Sequence, residues 1–293
     1  MSTLFTFKVN KLTLQADGMP EALRYIATPP QELYTVGAPL DELLARPRVA
    51  IVGSRKVSPY GREVTVRLAR ELAERGIVII SGLALGVDAL AHQAALDAGG
   101  LTIAVLPGPL ERIYPASHAR LARQIVERGG ALVTEYPAGT DTFRWNFIAR
   151  NRLVSGLSQA VLITEAAEKS GSLHTARFAL EQGRDVLAVP GSIFSPTSAG
   201  TNNLIKMGAA PVTSYTDVLH ALGLEEQAAA ARQPHGGTPE EQLLLGLLAR
   251  GIRDGGTLQL ESKLDITQFN QSLTMLELTG KIRSLGAGQW TIN

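Results

Sequence analysis

The chain has 293 residues, 45% of them hydrophobic, and a formal net charge of +1. That length suits one large domain with a small appendage, and the near-neutral balance excludes a polybasic coat, so an anion site has to come from local clusters of arginine. The lack of any cysteine excludes disulfides, thiolate zinc sites and thiol nucleophiles.

Residues 1–47 read as a short N-terminal extension. MSTLFTFKVNKLTLQ alternates polar and apolar side chains like a strand, carries no secretory core, and no apolar run in the chain approaches membrane-spanning length. A cytoplasmic protein without membrane association is the expectation. The stretch up to Gly37 adds a strand or two, a short helix and a Pro-Pro break.

From Arg48 onward apolar strands alternate with amphipathic helices. Strands are predicted over 49–53, 77–82, 102–108, 131–137, 160–166, 185–191 and 211–215. The segments between them, such as GREVTVRLARELAERG, carry apolar residues at three- and four-residue spacing and end in glycine. Continuous Val/Ile/Leu strands of this kind predict an α/β fold over 48–224, a doubly wound and mostly parallel Rossmann-like sheet covered on both faces. Such sheets bind ligands at the carboxyl ends of their strands, where Gly53, Gly82, Gly108 and Gly191 all fall. Residues 225–237 lose the periodic apolar face and read as a linker. Over 238–293 comes a helix with Thr238 as N-cap, then helix, turn, helix and a short hairpin, the order of a small winged-helix domain.

Several strand-end turns carry anion-binding chemistry. Gly53, Ser54 and Arg55, with Ser58 close behind, put a small hydroxyl and a guanidinium beside the free N–H groups of a helix start. The alternative is a generic turn with Arg55 solvated. No GxGxxG fingerprint is present and no acid ends the next strand, which argues against a dinucleotide. Asp88 falls where an N-cap belongs, and His92 lies one turn later. Ser170, Gly171 and Ser172 open another helix, and Glu165 just before them has the chemistry of a general base but no evident partner. The run FRWNFIARNRLVSGLS alternates Arg144, Arg150 and Arg152 with Phe143, Trp145 and Phe147. Cations for phosphates and rings for bases are what an unpaired nucleic-acid strand requires; the alternative places the rings in the core and the arginines in solvent.

Together GSR, SGLALGVDALAH, TEYPAGT, RNRLVSGLS, EAAEKSGSLHTA, GRDVLAVPGS and SAGTNNLIKMGA resemble the DprA/Smf family of DNA-processing proteins, from about Ala27 to Gly223. The resemblance implies a Rossmann-like core that binds single-stranded DNA, forms a homodimer, protects incoming DNA and helps load the RecA recombinase in natural transformation. No enzymatic activity, catalytic residue, cofactor or metal site is expected. The predicted DNA-binding residues are Gly53, Ser54, Arg55, Ser58, Gly82, Phe147, Arg150, Asn151, Arg152, Ser170, Gly171 and Ser172. The chain departs from the family pattern at Leu106–Leu110, where members are richer in glycine, and at Ala116, where members often carry lysine. A nucleotide-binding or nucleoside-monophosphate-hydrolysing Rossmann-like protein is the alternative. LPGPLERIYP and VPGSIFSPTSAGT, however, place no acid at the offset such hydrolases use. The tail is a weak duplex reader on this reading: its candidate recognition helix carries one charge, Glu277.

Overall fold

The computed structural model describes residues 7–14, 18–224 and 237–292. The chain divides into two compact units at Gly223. The first holds β1 (Asn10–Thr13), α1 (Glu21–Arg24), β2 (Glu32–Gly37), α2 (Leu40–Leu44), β3 (Arg48–Val52), α3 (Pro59–Ala73), β4 (Val78–Ser81), α4 (Val87–Asp97), β5 (Thr102–Val105) and α5 (Ala119–Glu127). It continues with β6 (Ala131–Thr134), α6 (Arg144–Gly156), β7 (Ala160–Ile163), α7 (Ser172–Glu181), β8 (Asp185–Ala188), α8 (Ala199–Lys206), β9 (Ala210–Pro211) and α9 (Tyr215–Ala221).

One nine-stranded sheet runs β1-β2-β6-β5-β4-β3-β7-β8-β9. Every pairing from β6 through β9 is parallel, and β1–β2 and β2–β6 are antiparallel. β4, β5, β6 and β7 are buried at every position, as continuous apolar strands between two helix layers must be. On one face Ala50, Val52, Ile80, Val105, Val133 and Ile163 pack against α1, α2, α6 and α7; on the other, Ala104 and Leu132 meet Leu96 of α4 and Ile125 of α5. Each large apolar side chain so buried contributes about 1.5–3 kcal/mol. The chain adds strands on one side of β3 as far as β6, then crosses back to lay β7 on its other side. β3/β7 is therefore the topological switch point, where open α/β sheets form their ligand crevice.

Two expectations change. Residues up to 47 are not an appendage to the sheet: β2 pairs with β6 over Tyr34–Gly37, opposite Thr134–Ala131, so the boundary expected at Arg48 falls inside the first unit. The last strand is two residues long instead of spanning 211–215, because Ser214 and Asp217 form a reciprocal capping box that starts α9. The expected linker lies outside the described residues except for Gly237.

The second unit contains α10 (Pro239–Ala249), α11 (Gly255–Ser262), α12 (Ile266–Leu278) and a hairpin of β10 (Ile282–Gly286) and β11 (Gln289–Ile292). Thr238 caps α10 by accepting from the Glu241 amide at 3.2 Å, as its sequence suggests. Leu244, Leu248, Leu258, Phe269, Leu276 and Ile282 form its core. Among the described residues no helix is long and apolar enough to cross a membrane.

Candidate functional site

A cavity of about 840 Å³ opens at the carboxyl ends of β3 and β7, in the upper part of the size range of ligand sites. Its lining includes Gly53, Ser54, Arg55 and Lys56 after β3, and Lys169, Ser170, Gly171 and Ser172 after β7. Arg144, Phe147, Ile148 and Asn151 enter from α6. Their spacing of three, four and seven residues puts them on one helix face. Five cations, Arg55, Lys56, Arg144, Arg150 and Lys169, share this lining with one carboxylate, Asp88.

The turn carrying Arg55 is fixed by its backbone. The Ser54 amide donates to the Glu165 carbonyl at 2.8 Å, and the Ser54 carbonyl accepts from the Val87 amide at 3.1 Å. The Ser54 hydroxyl bonds the Lys56 carbonyl at 2.8 Å. Gly86, with φ +81°, lets the α4 turn close onto this loop, since a Cβ there would lie 2.2 Å from the Ser54 carbonyl. Arg55 itself is exposed, with its guanidinium carbon 5.2 Å from the centroid of the Phe147 ring. Phe147 in turn meets Tyr114 edge-on at 5.1 Å. The rings hold the cation over the cavity while leaving its donors free for an anion.

Arg150 does different work. It is 3% exposed and donates to the carbonyls of Gly82 and Val105 at the ends of β4 and β5. A Cβ at Gly82 would sit 2.0 Å from its Nη1, so glycine is what admits the guanidinium. Nε donates to Asn151 at 3.2 Å, and Asn151 reaches the Gly171 carbonyl at 3.4 Å. Burial lowers Arg150 to about 10, the charge of Arg55 adding to this and Asp88 opposing it; the group remains a cation at neutral pH. Burial also pushes the Asp88 carboxyl up from its ordinary value, against the pull of Arg150 and of the Ala84 and Gly82 amides. Arg150 is thus a charged floor tying two strand ends to α6.

Three predicted residues lie outside the cavity lining. Arg152 extends to the other side of α6, pairing with Glu135 at 2.7 Å and donating to the Thr28 carbonyl at 3.0 Å. Gly82 is covered by Arg150. Ser58 caps α3, and its hydroxyl and its amide, the latter at 2.9 Å, both bond the Glu165 carboxylate. Glu165 is 1% exposed and fills the mouth of α3, so the anion site expected at that helix start is already occupied by the protein's own carboxylate. The same contacts account for Glu165 without a general-base role. The start of α7 is the helix mouth that faces the cavity, with the Ser170 and Ser172 hydroxyls bonded to each other at 2.8 Å.

Asp88 is not the N-cap of α4; Gly86 is, and Asp88 accepts from the Gly82 amide at 3.1 Å. His92 is fully buried, its Nδ1 2.6 Å from the Thr102 hydroxyl, and it does not line the cavity. Burial first, then Arg150 and His118, push it down to about 3, so it is neutral. The predicted contact set leaves out four lining residues, Lys56, Lys169, Tyr114 and Arg144, the last of them already part of the arginine–aromatic run. Lys56 and Lys169 each adjoin a predicted turn, and Tyr114 stands in the LPGPLERIYP string after β5, so each of the three had a legible signal nearby.

A family model described as DNA recombination-mediator protein A matches residues 10–223. Among curated relatives, protein Smf of Escherichia coli (strain K12) is 51% identical over 175 residues, covering 60% of this chain and 47% of that protein, so the chain spans about half of that relative's length. DNA processing protein DprA of Bacillus subtilis (strain 168) is 40% identical over 215 residues, 73% of this chain and 71% of the relative. The X-ray structure of DprA from Streptococcus pneumoniae superposes with a TM-score of 0.67 at 40% identity, covering 74% of this chain and 75% of that one. A structure of DprA from Helicobacter pylori, described for its single-stranded DNA binding mode, gives 0.67 at 36% identity, over 75% of this chain and 98% of that one. Matched over most of its length in both sequence and fold, the chain belongs to the DNA recombination-mediator protein A family, whose members carry the names DprA and Smf.

Proposed function

We propose that this protein binds single-stranded DNA in the cavity at the β3/β7 switch point, without enzymatic activity, and that it protects incoming DNA and hands it to the RecA recombinase in natural transformation. One observation carries the binding reading: five cations against a single buried carboxylate surround an opening in which Arg55 lies over the Phe147 ring. Phosphates meet Arg55, Lys56, Arg144, Lys169 and the start of α7, while Phe147 offers a π-face that accepts any base. The single-stranded DNA binding mode of the Helicobacter pylori relative supports this, and the family's description as a recombination mediator supports a recombinase partner. The protein acts as a homodimer on this reading. Exposed Leu180, Ile193, Phe194 and Met207, on elements bordering the β8–β9 edge, supply apolar surface for a second copy.

Labelled oligo-dT titrated against the matching duplex, with mass measured in solution, tests the single-strand binding and the homodimer. If four exposed side chains each neutralise one phosphate, the salt slope is near −2.8 and affinity falls roughly 50-fold between about 50 and 200 mM salt. Arg55→Ala flattens that slope by about 0.7. An unchanged slope would remove Arg55 from the site, and equal affinity for duplex would defeat the single-strand reading.

A further inference from the structure

At the start of α6 two large rings stand in solvent against each other. Phe143 and Trp145 stack with centroids 4.4 Å apart and planes 9° from parallel, and they are 45% and 64% exposed. The helix start that bears them is anchored by Asn146, which is 2% exposed and whose amide donates to the Phe143 carbonyl at 3.1 Å. The chain has seven Phe, six Tyr and two Trp; four of these rings, Tyr114, Phe143, Trp145 and Phe147, crowd one rim. Tyr114 and Phe147 line the cavity, whereas Phe143 and Trp145 do not.

Arg144 joins the two sets. It sits between the exposed rings in the chain, is itself exposed, and lines the cavity. Successive helix residues project about 100° apart, so Trp145 lies just round the helix from the cavity face of α6. Each ring has one face against its partner and keeps much of its remaining surface in solvent. A strand leaving the cavity with a phosphate on Arg144 meets an exposed ring at the next step.

We infer that the Phe143–Trp145 pair is a second base-stacking platform, outside the cavity, that holds the first base of an unpaired strand as it passes over Arg144. This rests on the single-strand reading of the cavity and extends it by naming where the strand leaves. Arg144, between the two rings in the chain, and the other exposed cations of the cavity it lines, Arg55, Lys56 and Lys169, select a polyanion over an apolar protein segment as the occupant.

The two tryptophans of the chain, Trp145 and Trp290, make the test direct. In a Trp290→Phe variant the emission reports Trp145 alone; the difference between wild type and Trp145→Phe gives the same readout from unaltered tail packing. Oligo-dT of increasing length is titrated while fluorescence anisotropy of the labelled oligonucleotide follows binding independently. The shortest oligonucleotides that bind leave Trp145 emission unchanged, and longer ones quench it. Trp145→Ala weakens the long oligonucleotides roughly tenfold, equivalent to about 1.4 kcal/mol, and spares the short ones, while Trp145→Phe restores most of the loss. Long oligonucleotides that bind with Trp145 emission and Trp145→Ala affinity both unchanged would overturn the platform and leave the cavity reading intact. No binding at any length would overturn both.

Discussion

Arg150 and Arg152 stand two positions apart on α6, and a helix turns about 200° over that interval. One guanidinium therefore goes under the cavity and the other goes to Glu135. The spacing in RNR separates the two side chains; it carries no sign of which face meets the sheet, so the sequence alone makes both of them candidate DNA contacts. The Arg152–Glu135 pair is largely buried, at 12% and 16% side-chain exposure, so removing one partner strands the other. Arg152→Ala lowers unfolding free energy in urea by about 1–3 kcal/mol and leaves the salt slope of oligo-dT binding unchanged. A slope that flattened as it does for Arg55 would return Arg152 to the site. Arg55, by contrast, follows Gly-Ser at a strand end, and of the two placements its sequence allows, solvent or crevice, it lines the crevice.

Among the elements, the strands of the central sheet start within one residue of the expected positions because each is an apolar run, but β5, β6, β7 and β8 end three residues early, at Val105, Thr134, Ile163 and Ala188, where the chain leaves the sheet to form the loops at its carboxyl edge. β9 was overextended, since PVTSY has strand-forming residues but Ser214 and Asp217 make a stronger local arrangement. β2 was invisible as a member of the main sheet because its partner, β6, lies about a hundred residues downstream and nothing local records the pairing. α3 is expected from sequence to offer its free amides to phosphate, yet Glu165, in the loop after β7, fills that helix mouth by accepting from the Ser58 amide and hydroxyl. Ser58 caps the helix, and the carboxylate behind it balances the positive end of the dipole. Glu165→Gln keeps the shape and loses the charge, and it lowers stability by about 1–2 kcal/mol, read as a reduced thermal midpoint. An unchanged midpoint would mean that α3 is held by packing alone. The same carboxylate has a price in ligand choice: a free nucleotide seeking the first βα turn finds that seat already negative.

At the scale of the whole molecule, every residue lining the cavity, from Val52 to Thr197, belongs to the first unit. A chain ending at Gly223 therefore keeps its affinity for oligo-dT, and loss of binding in that truncated protein would make the tail part of the site. The tail's order of three helices and a hairpin was legible from Thr238 and from the turn glycines, each a local signal. Strand order has a further consequence, in time. The seat lies between β3 and β7, and about a hundred residues are made between them, roughly 5–20 s of translation. A nascent chain emerging from the ribosome thus carries Arg55 long before Lys169 and the start of α7 exist. The capacity to grip an anion arrives late, in a single step, when β7 slots in beside a strand synthesised far earlier.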